Sequence, residues 1–149
     1  MLLKSFCTPD VICCSPKMTA QAAAVLMRQK HTGDLVVVDD LDQDQVPLGI
    51  VTDRDLVIEV LAKELDPTRT SVRSILRTPV VIAHEHEDVA EVLERMRVHG
   101  VRRIPVVGAA GKLAGIVTLD DILKVISTDL ASVVDIVARE QGREHRSRR

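Results

Sequence analysis

The chain carries one pattern twice. A shift of 69 positions lays Val11-Ile12-Cys13 on Val80-Val81-Ile82, Thr19 on Asp88, and Met27 on Met96. The same shift lays Leu35-Val36-Val37-Val38 on Ile104-Pro105-Val106-Val107. Beyond that run the shift falls to 66, because the first copy's loop, Asp39 to Leu48, is longer; Gly49 then meets Gly115 and Thr52 meets Thr118. An internal repeat of this size restricts the fold to two copies of one supersecondary unit that bury a shared face.

Each copy reads as strand, helix, strand, turn, strand, helix. A short apolar run at Asp10 to Cys14 opens the first. A helix is expected from Thr19 to Gln29, with Thr19 as N-cap and Ala23, Leu26, Met27 and Lys30 on one face. Gly33 is the expected stop. The unbroken Leu35–Val38 run fits a strand buried on both faces. In the second copy Asp88 caps a helix through Val89, Val92, Leu93 and Met96 that Gly100 ends. Pro105 predicts a bulge or an edge position for its strand. The boundaries expected are residues 8–64 for the first repeat, 65–76 for a linker with a short helix near Val72, and 77–128 for the second repeat. Residues 129–149 extend the last helix along Leu130, Val133, Val134 and Val137, then end in a basic tail, Gly142 to Arg149, expected to be solvated and disordered.

Composition narrows the function. With one aromatic residue, Phe6, the core must be aliphatic. The formal net charge of −2 provides no field for nucleic acid or a membrane surface, and single-stranded nucleic acid would lack stacking platforms. No apolar run approaches the ~20 residues of a membrane span, and the first residues lack a signal-peptide core, so a cytoplasmic protein is expected. Cys7, Cys13 and Cys14 lack a disulfide framework spacing and read as buried reduced thiols. The acidic loop Asp39 to Asp44 lacks the glycine and closing glutamate of a calcium loop, and His84 and His86 have no evident third ligand. No metal is therefore expected.

The remaining chemistry lies in two turns, Gly49-Ile50-Val51-Thr52-Asp53-Arg54-Asp55 and Gly115-Ile116-Val117-Thr118-Leu119-Asp120-Asp121. Each sets a hydroxyl and a carboxylate where a strand runs into a helix. Thr and Asp there are ordinary capping residues. They are also the groups that hydrogen-bond a vicinal diol, beside a helix start whose free N–H groups suit phosphate. No nucleophile–base pair or Walker loop accompanies them, so an enzyme is not expected.

The two turns, with the GIVTDRDL and VRRIPVV stretches, resemble those of CBS (cystathionine-β-synthase) domains over about Thr8 to Ser127. The resemblance implies an α+β fold in which two βαββα repeats pack through their sheets into one pseudo-symmetric (Bateman) module. It also implies that two such modules stack as a flat, disk-like homodimer, and that the module is regulatory rather than catalytic and binds AMP, ADP or ATP, less often S-adenosylmethionine, NAD or cyclic dinucleotides. Each motif's Asp would hold the ribose, its Thr ribose or phosphate, and basic residues before the second strand the phosphates. One cleft is expected to combine Thr118, Asp121, Arg102 and Arg103 with Asp10, Val11 and Ile12 as adenine wall. The other would combine Thr52, Arg54 and Asp55 with Thr78, Val80 and Val81, and with Gly33 and Asp34 in place of the arginines. On this pairing the Asp121 cleft is the main nucleotide site. The competing expectation is a ligand-free dimeric scaffold whose working surface is the last helix.

Overall fold

The computed structural model describes residues 1–5, 7–39 and 41–147; Phe6, Asp40, Arg148 and Arg149 lie outside the described residues. The first repeat runs β1 (Cys13–Cys14), α1 (Ala20–Lys30), β2 (Asp34–Val38), β3 (Pro47–Thr52) and α2 (Asp53–Asp55), which continues as a π-helix over Leu56–Leu61. The linker holds α3 (Val72–Ile75). The second repeat runs β4 (Ala83–His84), α4 (Val89–His99), β5 (Arg103–Val107), β6 (Leu113–Thr118) and α5 (Leu119–Ser147). The sheets have the order β1-β2-β3 and β4-β5-β6, each with a parallel first pair and an antiparallel second pair. Asp34 pairs with Thr52 and Arg103 with Thr118, so the repeat found in sequence is kept residue by residue. This is the expected α+β arrangement of two βαββα units.

The apolar runs explain the layering. On β2, Leu35 and Val37 face a core with Cys14, Ala23, Met27, Val51 and Val72. Val36 and Val38 face the other way, where Ile116, Val11, Cys13, Ile50 and Leu113 join them between the sheets. A strand covered on both faces has no use for a polar residue, which is why the run is unbroken. The second repeat's core gathers Ala83, Val92, Met96, Ile104, Val106, Val117 and Ile122.

One buried member of that core comes from outside the repeat. Leu3 is fully buried in the second repeat's core, while its counterpart one shift later, Val72, is fully buried in the first repeat's core. Each lead-in segment thus completes the core of the opposite repeat. The N-terminal one is fixed by Leu3 and Lys4 N–H groups donating to the Glu87 and Glu85 carbonyls at 3.1 and 3.0 Å. Thr8 and Ile116 then exchange backbone hydrogen bonds, both 2.9 Å, along the free edge of β6. The expected linker 65–76 therefore contains a core residue as well as a connection.

Several local expectations are corrected. Helix α1 is stopped by His31, which takes the left-handed conformation at φ 52°, and not by Gly33; Gly100 fills the same place after α4 at φ 62°. Lys30 is exposed and does not share the buried face of Ala23 and Met27. Pro105 sits on the central strand of its sheet, without a bulge at its own position. Its counterpart Val36 donates to the Ile12 carbonyl at 3.0 Å, a bond proline cannot make. The two-residue β4 does not reach that level, so the lost bond is tolerated. The tail is helical as far as Ser147, consistent with its Arg, Glu and Gln content and lack of proline. No helix among the described residues is long and apolar enough to cross a membrane.

Candidate functional site

The two turns fold as capping boxes. In the first, Thr52 Oγ1 accepts the Asp55 N–H at 3.1 Å and Asp55 Oδ2 accepts the Thr52 N–H at 2.9 Å. In the second, Thr118 Oγ1 accepts the Asp121 N–H at 3.1 Å and Asp121 Oδ2 accepts the Thr118 N–H at 3.2 Å. The capping role weighed from sequence is thus real at both turns. It leaves unequal hydrogen-bonding capacity behind. The Thr118 hydroxyl also donates to Asp121 Oδ2 at 2.7 Å, and Asp121 Oδ1 lies 3.8 Å from Lys124 Nζ. The Thr52 hydroxyl donates to no group among the described residues, and Asp55 Oδ1 accepts from none. A hydroxyl donor and a carboxylate oxygen therefore remain available at the first turn.

That turn opens onto a cavity of ≈ 570 Å³, within the ~300–1,000 Å³ range of small-molecule sites. One side is the first repeat's turn, with Ile50, Thr52, Asp53, Arg54 and Asp55. Facing it are Arg77, Pro79, Val80 and Val81, leading into the second repeat, and Arg102 and Arg103 at the start of β5. Thr52, Arg54, Asp55, Val80 and Val81 are assembled as the sequence predicts. Arg77 carries no signal in the sequence, because nothing at its own position distinguishes it from a solvated arginine.

The arginines at β5 are the main departure. The sequence pairs them with Thr118 and Asp121; in the structure they line the cavity with Thr52 and Asp55. The reason is the packing. The sheets meet face to face, so the α4–β5 loop of one repeat comes against the strand-to-helix turn of the other. Arg102 remains close to its own repeat's turn as well, since its carbonyl accepts the Leu119 N–H at 2.8 Å and its guanidinium is 3.7 Å from Asp120. Arg103 reaches across to Asp34, Nη1 to Oδ2 2.5 Å, with both side chains partly buried. Asp34 and Arg103 are counterparts, so this pair ties the two repeats together at their pseudo-symmetry axis.

Of the other expected adenine wall, Asp10 is exposed, Val11 packs between the sheets with Val36 and Ile116, and Ile12 packs against the first repeat's core as its counterpart Val81 does against the second's. Among the described residues no group of three or more His, Cys, Asp or Glu could hold a metal ion; the His84 and His86 rings lie 5.6 Å apart, centroid to centroid. Burial, with Cys13 adjacent, pushes the Cys14 thiol up to about 11, which makes it an inert core residue.

Comparison with known proteins bears directly on this architecture. The chain is 42% identical over 116 residues to the protein MK0525 of Methanopyrus kandleri, covering 78% of this chain and only 58% of that protein. It is 36% identical over 114 residues to Hypoxic response protein 1 of Mycobacterium tuberculosis, covering 76% and 77% of the two chains. A crystal structure of Hypoxic Response Protein I with two coordinated zinc ions superposes with a TM-score of 0.73 at 32% identity, covering 83% of this chain and 98% of that one. The CBS domain pair of protein MJ0100, in complex with 5′-methylthioadenosine and S-adenosyl-L-methionine, superposes with a TM-score of 0.74 at 25% identity, covering 87% and 98%. Residues 3–62 and 72–128 each match the CBS domain, and with both repeats folded and paired as described, the chain belongs to the CBS domain family as a two-domain CBS pair.

Proposed function

We propose that this protein is a regulatory module that binds an adenosine nucleotide, AMP, ADP or ATP, in the cleft at Asp55. The observation that carries the reading is the set of groups lining one cavity. Val80, Val81 and Ile50 offer an apolar wall, Thr52 and Asp55 offer diol-binding groups, and arginines stand opposite them. Arginine forks match phosphate geometry, and a carboxylate oxygen accepts hydrogen bonds from a ribose. The adenosine ligands of the MJ0100 domain pair support the same ligand class. The site is a binding site and not a catalytic one, since neither turn joins a nucleophile to a base. A signal requires the nucleotide to bind two conformations differently.

The second reading is a dimeric scaffold, and one observation favours it. Leu123, Ile126, Leu130, Val133 and Val137 recur at alternating three- and four-residue spacing along α5 and are all at least 47% exposed. That seam suits pairing with a second copy.

Thermal unfolding against AMP, ADP, ATP, S-adenosylmethionine and NAD tests both. A ligand at 100 times its dissociation constant stabilises the fold by about 2.7 kcal/mol. The expected result is a nucleotide shift that Asp55→Ala abolishes and Asp121→Ala keeps. Both substitutions also remove a cap, so the ligand-induced shift is compared and not the absolute midpoint. The reverse dependence would return the site to the Asp121 turn. A stable dimer with no shift for any ligand would establish the scaffold.

A further inference from the structure

The four arginines of the Asp55 cleft, Arg54, Arg77, Arg102 and Arg103, face two aspartates, Asp53 and Asp55, in a chain whose formal net charge is −2. The repeat supplies an internal control for this excess. By the shifts of 66 and 69 that relate the two halves, Arg54 corresponds to Asp120, Arg77 to Thr8, Arg102 to Gly33 and Arg103 to Asp34. None of the four is basic in its counterpart. The Thr and Asp of the turn, by contrast, are present in both halves. The capping groups are therefore common to the fold, whereas the cationic lining belongs to one cleft alone.

The arginines also differ in depth and in partners. Arg103 is partly buried against Asp34. Arg54, Arg77 and Arg102 are exposed. Among the described residues Arg54 and Arg77 have no ion-pair partner, and Arg102 has only the 3.7 Å approach to Asp120. A single phosphate beside Arg103 would leave this outer cation group unmatched. It sits on three separate segments that line the cleft, the first turn, the lead-in to β4 and the α4–β5 loop, with its side chains exposed at the cleft's solvent side.

Building on the adenosine reading above, we infer that the cleft selects by phosphate-chain length and takes a nucleoside di- or triphosphate in preference to a monophosphate or a cationic adenosyl compound. Arg77 and Arg54 are the specificity-determining residues at the rim. Charge-assisted bonds to phosphate are the strong ones, and each added phosphate brings a further oxygen set within reach of a rim guanidinium.

Isothermal titration calorimetry of the full chain with AMP, ADP, ATP, S-adenosylmethionine and inorganic tripolyphosphate, in magnesium-free buffer at fixed ionic strength, tests the inference. The expected result is at least a tenfold gain in affinity from AMP to ATP. Arg77→Gln and Arg54→Gln should each weaken ATP binding several-fold more than AMP binding, so that most of that gain is lost; both residues are exposed, and circular dichroism checks the fold. Equal affinities for AMP and ATP, or a loss that is the same for both, would overturn the phosphate-length inference and leave adenosine binding intact. Tripolyphosphate binding that needs Arg77, with no adenine nucleotide bound more tightly, would keep the cationic rim and overturn the adenosine reading. Binding of none of these ligands would overturn both.

Discussion

Single residues decide how closely the segments of this fold can approach. At Gly115 an added Cβ would stand 2.8 Å from the Thr8 carbonyl oxygen and 3.2 Å from Cys7 Sγ. The neighbour is backbone, pinned by its two hydrogen bonds to Ile116, so it cannot yield cheaply. At the counterpart, Gly49, the first atom met is Leu76 Cδ2 at 3.1 Å, with the Arg77 carbonyl at 3.8 Å. A leucine terminus can turn aside. We expect Gly115→Ala to cost about 1–3 kcal/mol, the usual range for overpacking, and Gly49→Ala less than half as much. Urea unfolding of the two variants checks this, and equal costs would mean that the Thr8 segment moves freely. The sequence shows both glycines in identical motifs and gives no sign that their surroundings differ. The same blindness applies to the turns, where Thr52 and Thr118 look alike and only the folded geometry shows which hydroxyl is already engaged.

At the level of elements, periodicity and caps were sufficient wherever a segment's fate is local. Helices α1 and α4, the doubly buried β2 and the apolar stripe of α5 could all be read from their own residues, though not the continuation of α5 through Gly142 to Ser147. What could not be read was exchange between elements distant in sequence. Leu3 and Val72 stand at the start of the two matched domains, belong to no amphipathic pattern, and acquire meaning only when each enters the opposite core. This exchange has a consequence for cooperativity. Removing Leu3 weakens the second repeat directly, yet the two repeats share the inter-sheet core and the reciprocal lead-in from Val72. We expect Leu3→Ala to cost about 2–5 kcal/mol, as for other buried leucines, and both repeats to unfold together. Cys14 lies fully buried in the first repeat, and its thiol, pushed up to about 11 by burial, reacts only when that core opens. Peptide-resolved thiol labelling across a urea series should show Cys14 becoming reactive at the same lowered midpoint that circular dichroism reports. Protection of Cys14 beyond that midpoint would show that the repeats unfold separately.

For the whole molecule, the repeat itself declared the fold, and the motif marked Thr52, Arg54, Asp55, Val80 and Val81 of the first cleft but not its other three arginines, Arg77, Arg102 and Arg103. The partnership between loops and turns was not legible. Two halves related by a pseudo-two-fold axis offer each turn two arginine-bearing or arginine-free loops, its own and its neighbour's, and only the face-to-face packing of the sheets chooses between them. The Arg103–Asp34 pair sits at that choice, linking counterpart positions of the two repeats while one of its members lines the cleft. A phosphate reaching Arg103 competes with Asp34 for the same guanidinium. Asp34→Ala should therefore have two opposed effects. Stability should fall by about 1–3 kcal/mol, because a partly buried charged group loses its partner. Nucleotide affinity should rise several-fold, because the ligand no longer displaces a carboxylate. Arg103→Ala should lower stability and affinity together. Calorimetric titration alongside urea unfolding separates these outcomes. If Asp34→Ala weakened nucleotide binding, Asp34 would be the residue that holds Arg103 in position for phosphate, and the ion pair would act as a support and not as a competitor.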